Sequence, residues 1–181
     1  MSKVGPMNRQ TAWLTRSGWE CAYRYGGTEI HAAQFPPWMS ELMKEVMPKC
    51  GYDNPATWPN SCNLNLYEDG GSSCGWLADD EAVFGPRGTA KTIISLSLGG
   101  PRMMEFRQMP SPSGKSTNNS ASVRLRAGDV CIMAGKTQDV AEHRTPKELK
   151  ERSVRINLTW RWIVSPTALR TAKGAIILGT S

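Results

Sequence analysis

The most regular stretch of the chain is residues 155–162. Arg155, Asn157, Thr159 and Arg161 alternate there with Ile156, Leu158, Trp160 and Trp162. A strict period of two marks a β-strand. A polar face with two arginines opposite a face with two tryptophans is not the ordinary solvent-out pattern, and it predicts arginines pointing into a barrel that holds an anion. Residues 92–98 alternate Ile94, Leu96 and Leu98 with Ser95 and Ser97, which predicts a half-buried strand. Residues 103–107 are expected to pair with it across Gly99-Gly100-Pro101, and residues 123–126 with 129–133 across Ala127-Gly128. A short strand at 64–67 ends at the turn signal Glu68-Asp69-Gly70-Gly71. Residues 23–30 predict strand, Gly26-Gly27 turn and strand.

One helix stands out. Pro36-Pro37 opens it, since proline is tolerated in a first helical turn. Trp38, Met39, Leu42, Met43, Val46 and Met47 then recur at i, i+3, i+4, so one face is expected to be apolar and packed on the body, with Gly51 as a stop. Residues 110–122 are poor in hydrophobics and predict a loop. Residues after Val164 read as an appended tail with one apolar patch at 175–178. The organisation expected is an N-terminal extension (1–22), one domain (23–164) and a C-terminal tail (165–181).

Composition narrows the class. At 181 residues, 39% hydrophobic and 21% charged, the chain is predicted to be a soluble single domain and neither disordered nor collagenous. No apolar run approaches the roughly 20 residues that span a bilayer, so no transmembrane segment is expected. The first twenty residues lack a hydrophobic block, so no secretory signal is expected either. Five cysteines, an odd number without a CxxC pair, argue against a disulfide framework or a cysteine zinc site. They favour a reducing intracellular compartment, with organelle import left open. Residues 101–181 carry fourteen Lys/Arg against six acids, so the basic surplus sits in the C-terminal half. It suits nucleic acid or an anionic surface as well as it suits an ordinary solvated face.

Four pieces line up along the chain: Asn65-Leu66-Tyr67; the segment from Gly75 and Trp76 to Asp80 and Glu81, expected in a turn; His143; and Arg155-Ile156-Asn157-Leu158-Thr159-Trp160-Arg161. In order and spacing this series resembles the AlkB family of Fe(II)- and 2-oxoglutarate-dependent dioxygenases, most closely its animal-type nucleic-acid repair members. The residues carrying the resemblance run from about Tyr23 to Val164. Arg-x-Asn-x-Thr-x-Arg is its most specific element, and Ser95-Leu96-Ser97-Leu98-Gly99 with Glu105-Phe106-Arg107 looks like the family's central hairpin. The resemblance implies a mostly β fold with flanking helices, built on a double-stranded β-helix or jelly-roll core.

It also implies roles. A non-haem iron oxygenase holds its metal with two imidazoles and a carboxylate, leaving open positions for co-substrate and oxygen. By resemblance, Asp79 and His143 take the carboxylate and distal-histidine positions. Arg155 and Arg161 hold the two carboxylates of 2-oxoglutarate, assisted by Asn65, Tyr67 and Asn157. Trp76, Asp80 and Glu81 fall where relatives contact the base, although rim packing and a solvated acidic turn describe them equally well.

The departure from the family lies two residues before Asp79, where a histidine is expected and Leu77 stands. Leucine has no lone pair, Trp76 only donates and Ala78 is inert. Natural drift and deliberate inactivation both account for the change. The one other imidazole in the chain, His31, falls in the segment the family uses as a substrate lid. The expectation is therefore an AlkB-like scaffold, impaired or inactive toward its inherited chemistry, with doubtful Fe(II) and possible 2-oxoglutarate. It would be a pseudoenzyme retained as a binding or assembly module, docking a protein partner through the tail. The alternative is a working oxidative demethylase of alkylated DNA or RNA bases.

Overall fold

The computed structural model describes residues 8–25, 28–110 and 119–164. The Gly26-Gly27 turn, most of the expected loop at 110–122 and the tail after Val164 lie outside the described residues, as does any docking role for that tail. Strands β1 (Gln10–Thr15), β2 (Tyr23–Tyr25), β3 (Thr28–Ile30) and β4 (Ala32–Gln34) precede the helix α1 (Pro37–Val46). Then come β5 (Ser61–Tyr67), β6 (Cys74–Leu77), β7 (Ile93–Gly99), β8 (Arg102–Gln108), β9 (Ser120–Leu125) and β10 (Val130–Met133). A short helix α2 (Thr137–Val140) leads into β11 (Ala141–Thr145) and β12 (Arg155–Arg161).

These strands build a jelly roll of two main sheets. The larger runs β10-β7-β12-β5-β1-β4, the smaller β6-β11-β8-β9, and β2 pairs with β3 beside them. β12 is central, antiparallel to β5 on one side and β7 on the other, with Asn157 opposite Asn65 and Ser97. β1 lies within the stretch that the sequence sets apart as an extension, yet it is a full strand of the larger sheet, with Trp13 and Thr15 buried.

The larger sheet is inverted in polarity. Its outer face carries Leu14, Cys62, Ile94, Leu96, Leu158 and Trp160, covered by Met39, Met43, Val46 and Met47 of α1. Its inner face, toward the smaller sheet, carries the polar residues of β5, β7 and β12. The helix begins at Pro37, which needs no N–H in a first turn, and Gly51 ends the 3-10 turn that follows it with φ +87°. Trp38, expected on the packed face, is 48% exposed, so the buried stripe is the methionines and Val46.

Three other expectations change. β7 is not half-buried: Ile93 through Ser97 are buried on both faces, because α1 covers one side and the inter-sheet space the other. β8 does not pair with β7, whose two edges are already taken by β10 and β12. Gly99, at φ +80°, and Gly100 instead carry the chain across to the smaller sheet, the Gly100 N–H donating to Val154 O at 2.7 Å. Likewise β9 and β10 are not a hairpin: β9 pairs with β8, β10 pairs with β7, and the Gly128 turn docks on β7 by donating to Ser97 O.

The packing predicts a contrast between two helix positions. Met43→Ala removes a fully packed side chain and is expected to lower unfolding free energy by about 2–5 kcal/mol in urea denaturation. Trp38→Ala is expected to change it by about 0.5 kcal/mol or less. Equal losses would mean that α1 packs by another face.

Candidate functional site

The inner faces of the two sheets enclose a polar cavity. β12 contributes Arg155, Asn157, Thr159 and Arg161, β5 contributes Asn63, Asn65 and Tyr67, and β7 contributes Ser95. From the smaller sheet come Cys74 and Leu77 of β6 and His143 and Thr145 of β11, with Asp79 on the loop after β6. The alternation of β12 thus does what its pattern predicts, since Arg155 and Arg161 are 2% and 5% exposed and line the interior. The space left between these side chains is about 50 Å³.

Hydrogen bonds fix most of the polar wall. Asn157 Nδ2 donates to Ser95 Oγ (2.8 Å) and Leu96 O (3.0 Å), and Thr159 Oγ1 donates to Asn157 Oδ1 (3.0 Å). Arg155 Nη2 donates to Ser97 Oγ at 2.8 Å, and its guanidinium lies 5.2 Å from the centre of the Tyr67 ring. Arg161 Nη2 meets Asp79 Oδ2 at 2.6 Å, and His143 Nε2 lies 3.8 Å from the same oxygen. Burial pulls Asp79 toward its protonated form, but Arg161 and His143 outweigh it and hold the carboxyl below the usual carboxylate range. Burial depresses the His143 imidazole, which favours its neutral form with a free lone pair, and pushes the Tyr67 phenol up. Each arginine keeps two buried nitrogens, Nε and Nη1, without a hydrogen-bond partner among the described residues. Buried unpaired guanidinium donors of this kind call for an anion.

The model of the 2OG-Fe(II) oxygenase superfamily matches residues 2–161. The chain belongs to that superfamily. Within it the chain is AlkB-like. It is 34% identical over 161 residues to the alpha-ketoglutarate-dependent dioxygenase alkB homolog 3 of Mus musculus, an alignment covering 87% of this chain and 52% of that protein. The protein of that name from Bos taurus is 38% identical over 158 residues, with 86% and 51% covered. The DNA oxidative demethylase ALKBH2 of Arabidopsis thaliana is 30% identical over 176 residues, with 86% and 53% covered. The chain spans about half the length of these curated relatives.

The two groups implied for an AlkB-like oxygenase fit this cavity unequally. The orphaned arginine nitrogens suit a dicarboxylate such as 2-oxoglutarate. Iron fits poorly. Asp79 and His143 stand close enough to share one ion, but Leu77 lines the cavity directly opposite His143 in the β6–β11 pair and offers only carbon. Among the described residues no three His, Cys, Asp or Glu side chains come together to hold a metal. His31 is exposed and is not among the residues lining the cavity.

Other expected residues fall elsewhere. Gly75, Trp76 and Leu77 are strand rather than turn, so Trp76 points away from Leu77, onto the outer face of the smaller sheet. There the guanidiniums of Arg107 and Arg144 lie 4.4 and 4.6 Å from its ring centre. Asp80 is ion-paired with Arg87. Glu81 accepts from the Tyr23 hydroxyl at 2.7 Å, and burial followed by the nearby Asp79 raises its pKa.

The sequence pattern missed Arg9 and Tyr23, which also line the cavity. Arg9 donates from Nε to Asn65 Oδ1 at 2.7 Å. The signal was present in the alternation of Thr11, Trp13 and Thr15 just after it, which continues a strand at whose start Arg9 lies. Cys21, Cys50, Cys62, Cys74 and Cys131 are all free thiols. Among the described residues no helix is long and apolar enough to cross a membrane.

The Arg161–Asp79 contact predicts a strong coupling. Arg161→Met strands a buried carboxylate and is expected to cost about 3–5 kcal/mol in urea unfolding. Adding Asp79→Asn is expected to restore more than about 1 kcal/mol of that loss. A double variant no more stable than the single one contradicts the pairing.

Proposed function

We propose that the chain is an AlkB-like scaffold that binds 2-oxoglutarate, or a dicarboxylate like it, through Arg155 and Arg161. In this reading it holds Fe(II) too weakly for efficient oxidative turnover. The observation that carries the proposal is Leu77 on the cavity wall beside Asp79 and opposite His143. Loss of even a group that orients a ligand typically costs 10–100-fold in metal affinity or activity, and loss of a ligand itself costs more. In this reading the isobutyl group also keeps a water from standing in for the missing imidazole.

The parts that do not depend on iron are intact. Asn157, Ser95 and Thr159 hold the floor rigid, Tyr67 packs on Arg155, and both arginines retain unsatisfied donors toward the cavity. Because the free space is small, a dicarboxylate enters by rearrangement, with Arg161 turning part of its donor set from Asp79 to the ligand. A guanidinium is suited to this exchange, being always charged and able to bond two carboxylates with different edges.

A second reading, an active nucleic-acid demethylase, is favoured by the likeness to the DNA oxidative demethylase of Arabidopsis thaliana. Turnover separates the two. Given Fe(II), ascorbate, oxygen and 2-oxoglutarate, with or without methylated single-stranded DNA, the protein is expected to release succinate at close to the protein-free rate. Leu77→His is expected to raise Mn(II) affinity at least about tenfold. Succinate release by the unaltered chain as fast as that of an AlkB homologue with both histidines overturns the proposal.

A further inference from the structure

We infer that a second cavity, on the other side of Arg161, is a binding site for a small aromatic carboxylate. This cavity, of about 240 Å³, lies between the start of β7 and the end of β12 and is lined by Tyr52, Phe84, Lys91 and Trp162, reaching Arg161 and Asp79 at its inner end. It does not rest on the reading of the main cavity, with which it shares only Asp79 and Arg161 among its lining residues.

Lys91 is the decisive residue. It is 8% exposed, and its Nζ is buried without a hydrogen-bond partner among the described residues. Its backbone is fixed, the N–H donating to Gly135 O at 2.9 Å, so the side chain's placement follows from the fold rather than from a loose loop. A buried, unpaired ammonium disfavours the folded state, because nothing replaces its lost hydration. Arg161 lines the same cavity, but its charge is matched by Asp79 through Nη2, so the unpaired charge here is that of Lys91. The cavity therefore carries one positive charge more than its own residues neutralise.

Its other walls choose among anions. Trp162 and Tyr52 meet at 5.1 Å between ring centres, the Trp162 Nε1–H donating to Thr57 O at 2.9 Å, and Phe84 lies on the far side under the Arg161 guanidinium at 5.1 Å. Fixed ring faces on two sides suit a flat ring, and Lys91 suits a carboxylate on it. The volume suits one ring rather than a drug-sized ligand, whose pockets start near 300 Å³. The flexible lysine stem lets the ammonium swing onto the carboxylate.

The probe is benzoate, titrated by calorimetry into the full chain. Benzoate is expected to bind at least tenfold more tightly than cyclohexanecarboxylate or inorganic phosphate. Lys91→Met is expected to weaken benzoate at least tenfold while leaving the urea midpoint unchanged or higher, because it removes an unpaired buried charge. Arg155→Met, a change in the main cavity, is expected to leave benzoate binding unchanged. The inference is overturned by any one of five results: no benzoate binding, phosphate binding as tight as benzoate, benzoate binding undiminished in Lys91→Met, benzoate binding lost in Arg155→Met, or a Lys91→Met protein less stable than the parent. The last would make Lys91 a structural group.

Discussion

The Arg161–Asp79 contact is the constraint on which the structure turns. It joins β12 of the larger sheet to the loop after β6 of the smaller one, in an interior where neither charge reaches water. A buried ion pair adds little net stability but is costly to break, so it fixes the spacing of the sheets more than it strengthens the fold. The rest of the inner surface obeys the same logic. Most polar groups there are acceptable because the strand pairing lets Asn157, Ser95 and Thr159 satisfy one another, while Arg155 is bonded to Ser97 through Nη2 alone. Cohesion comes from the opposite face, where the methionines of α1 seal Trp160, Ile94 and Leu158 from water.

The site follows from that inversion. A jelly roll with an ordinary apolar interior would have no room for two buried arginines, whereas this one presents unsatisfied guanidinium donors at both ends of β12. What it lacks is a third metal donor. The β6–β11 pairing puts position 77 face to face with His143, which is where a second imidazole would complete the set, and places a branched alkyl group there. In the proposed reading the groups that would hold an anion lie on β12, and those that would hold a metal lie on β11 and on the loop after β6.

Sequence pattern was informative wherever a residue's environment is set by its own strand. The alternation of β12 revealed its inward polar face, and Pro36-Pro37 located the start of α1 to within a residue, although the helix ends at Val46, short of the expected stop at Gly51. Pattern misled where the decision is made by distant partners. Gly99-Gly100 and Ala127-Gly128 have the chemistry of hairpin turns, but the edges of β7 are occupied by strands from elsewhere in the chain, so both turns cross between sheets. The period of β7 suggested one wet face because serine is polar, although Ser95 and Ser97 are buried against Asn157 and Arg155. Trp76, offered as a base-contacting residue or as rim packing, is turned onto the outer face of the smaller sheet by strand geometry. Asp79, His143, Arg155 and Arg161 do meet in one cavity, and Arg9 joins them from the residue just before β1, a strand whose membership in the larger sheet only tertiary pairing reveals.

The account's central claim is that dicarboxylate binding here is uncoupled from metal. Calorimetric titration of 2-oxoglutarate into the unaltered protein, with and without saturating Mn(II), tests it most directly. The two-arginine cavity with Leu77 in its wall predicts the same affinity, within about twofold, in both titrations. An affinity that rises tenfold or more with Mn(II) would show a metal held firmly enough to chelate the ligand, and would contradict the account.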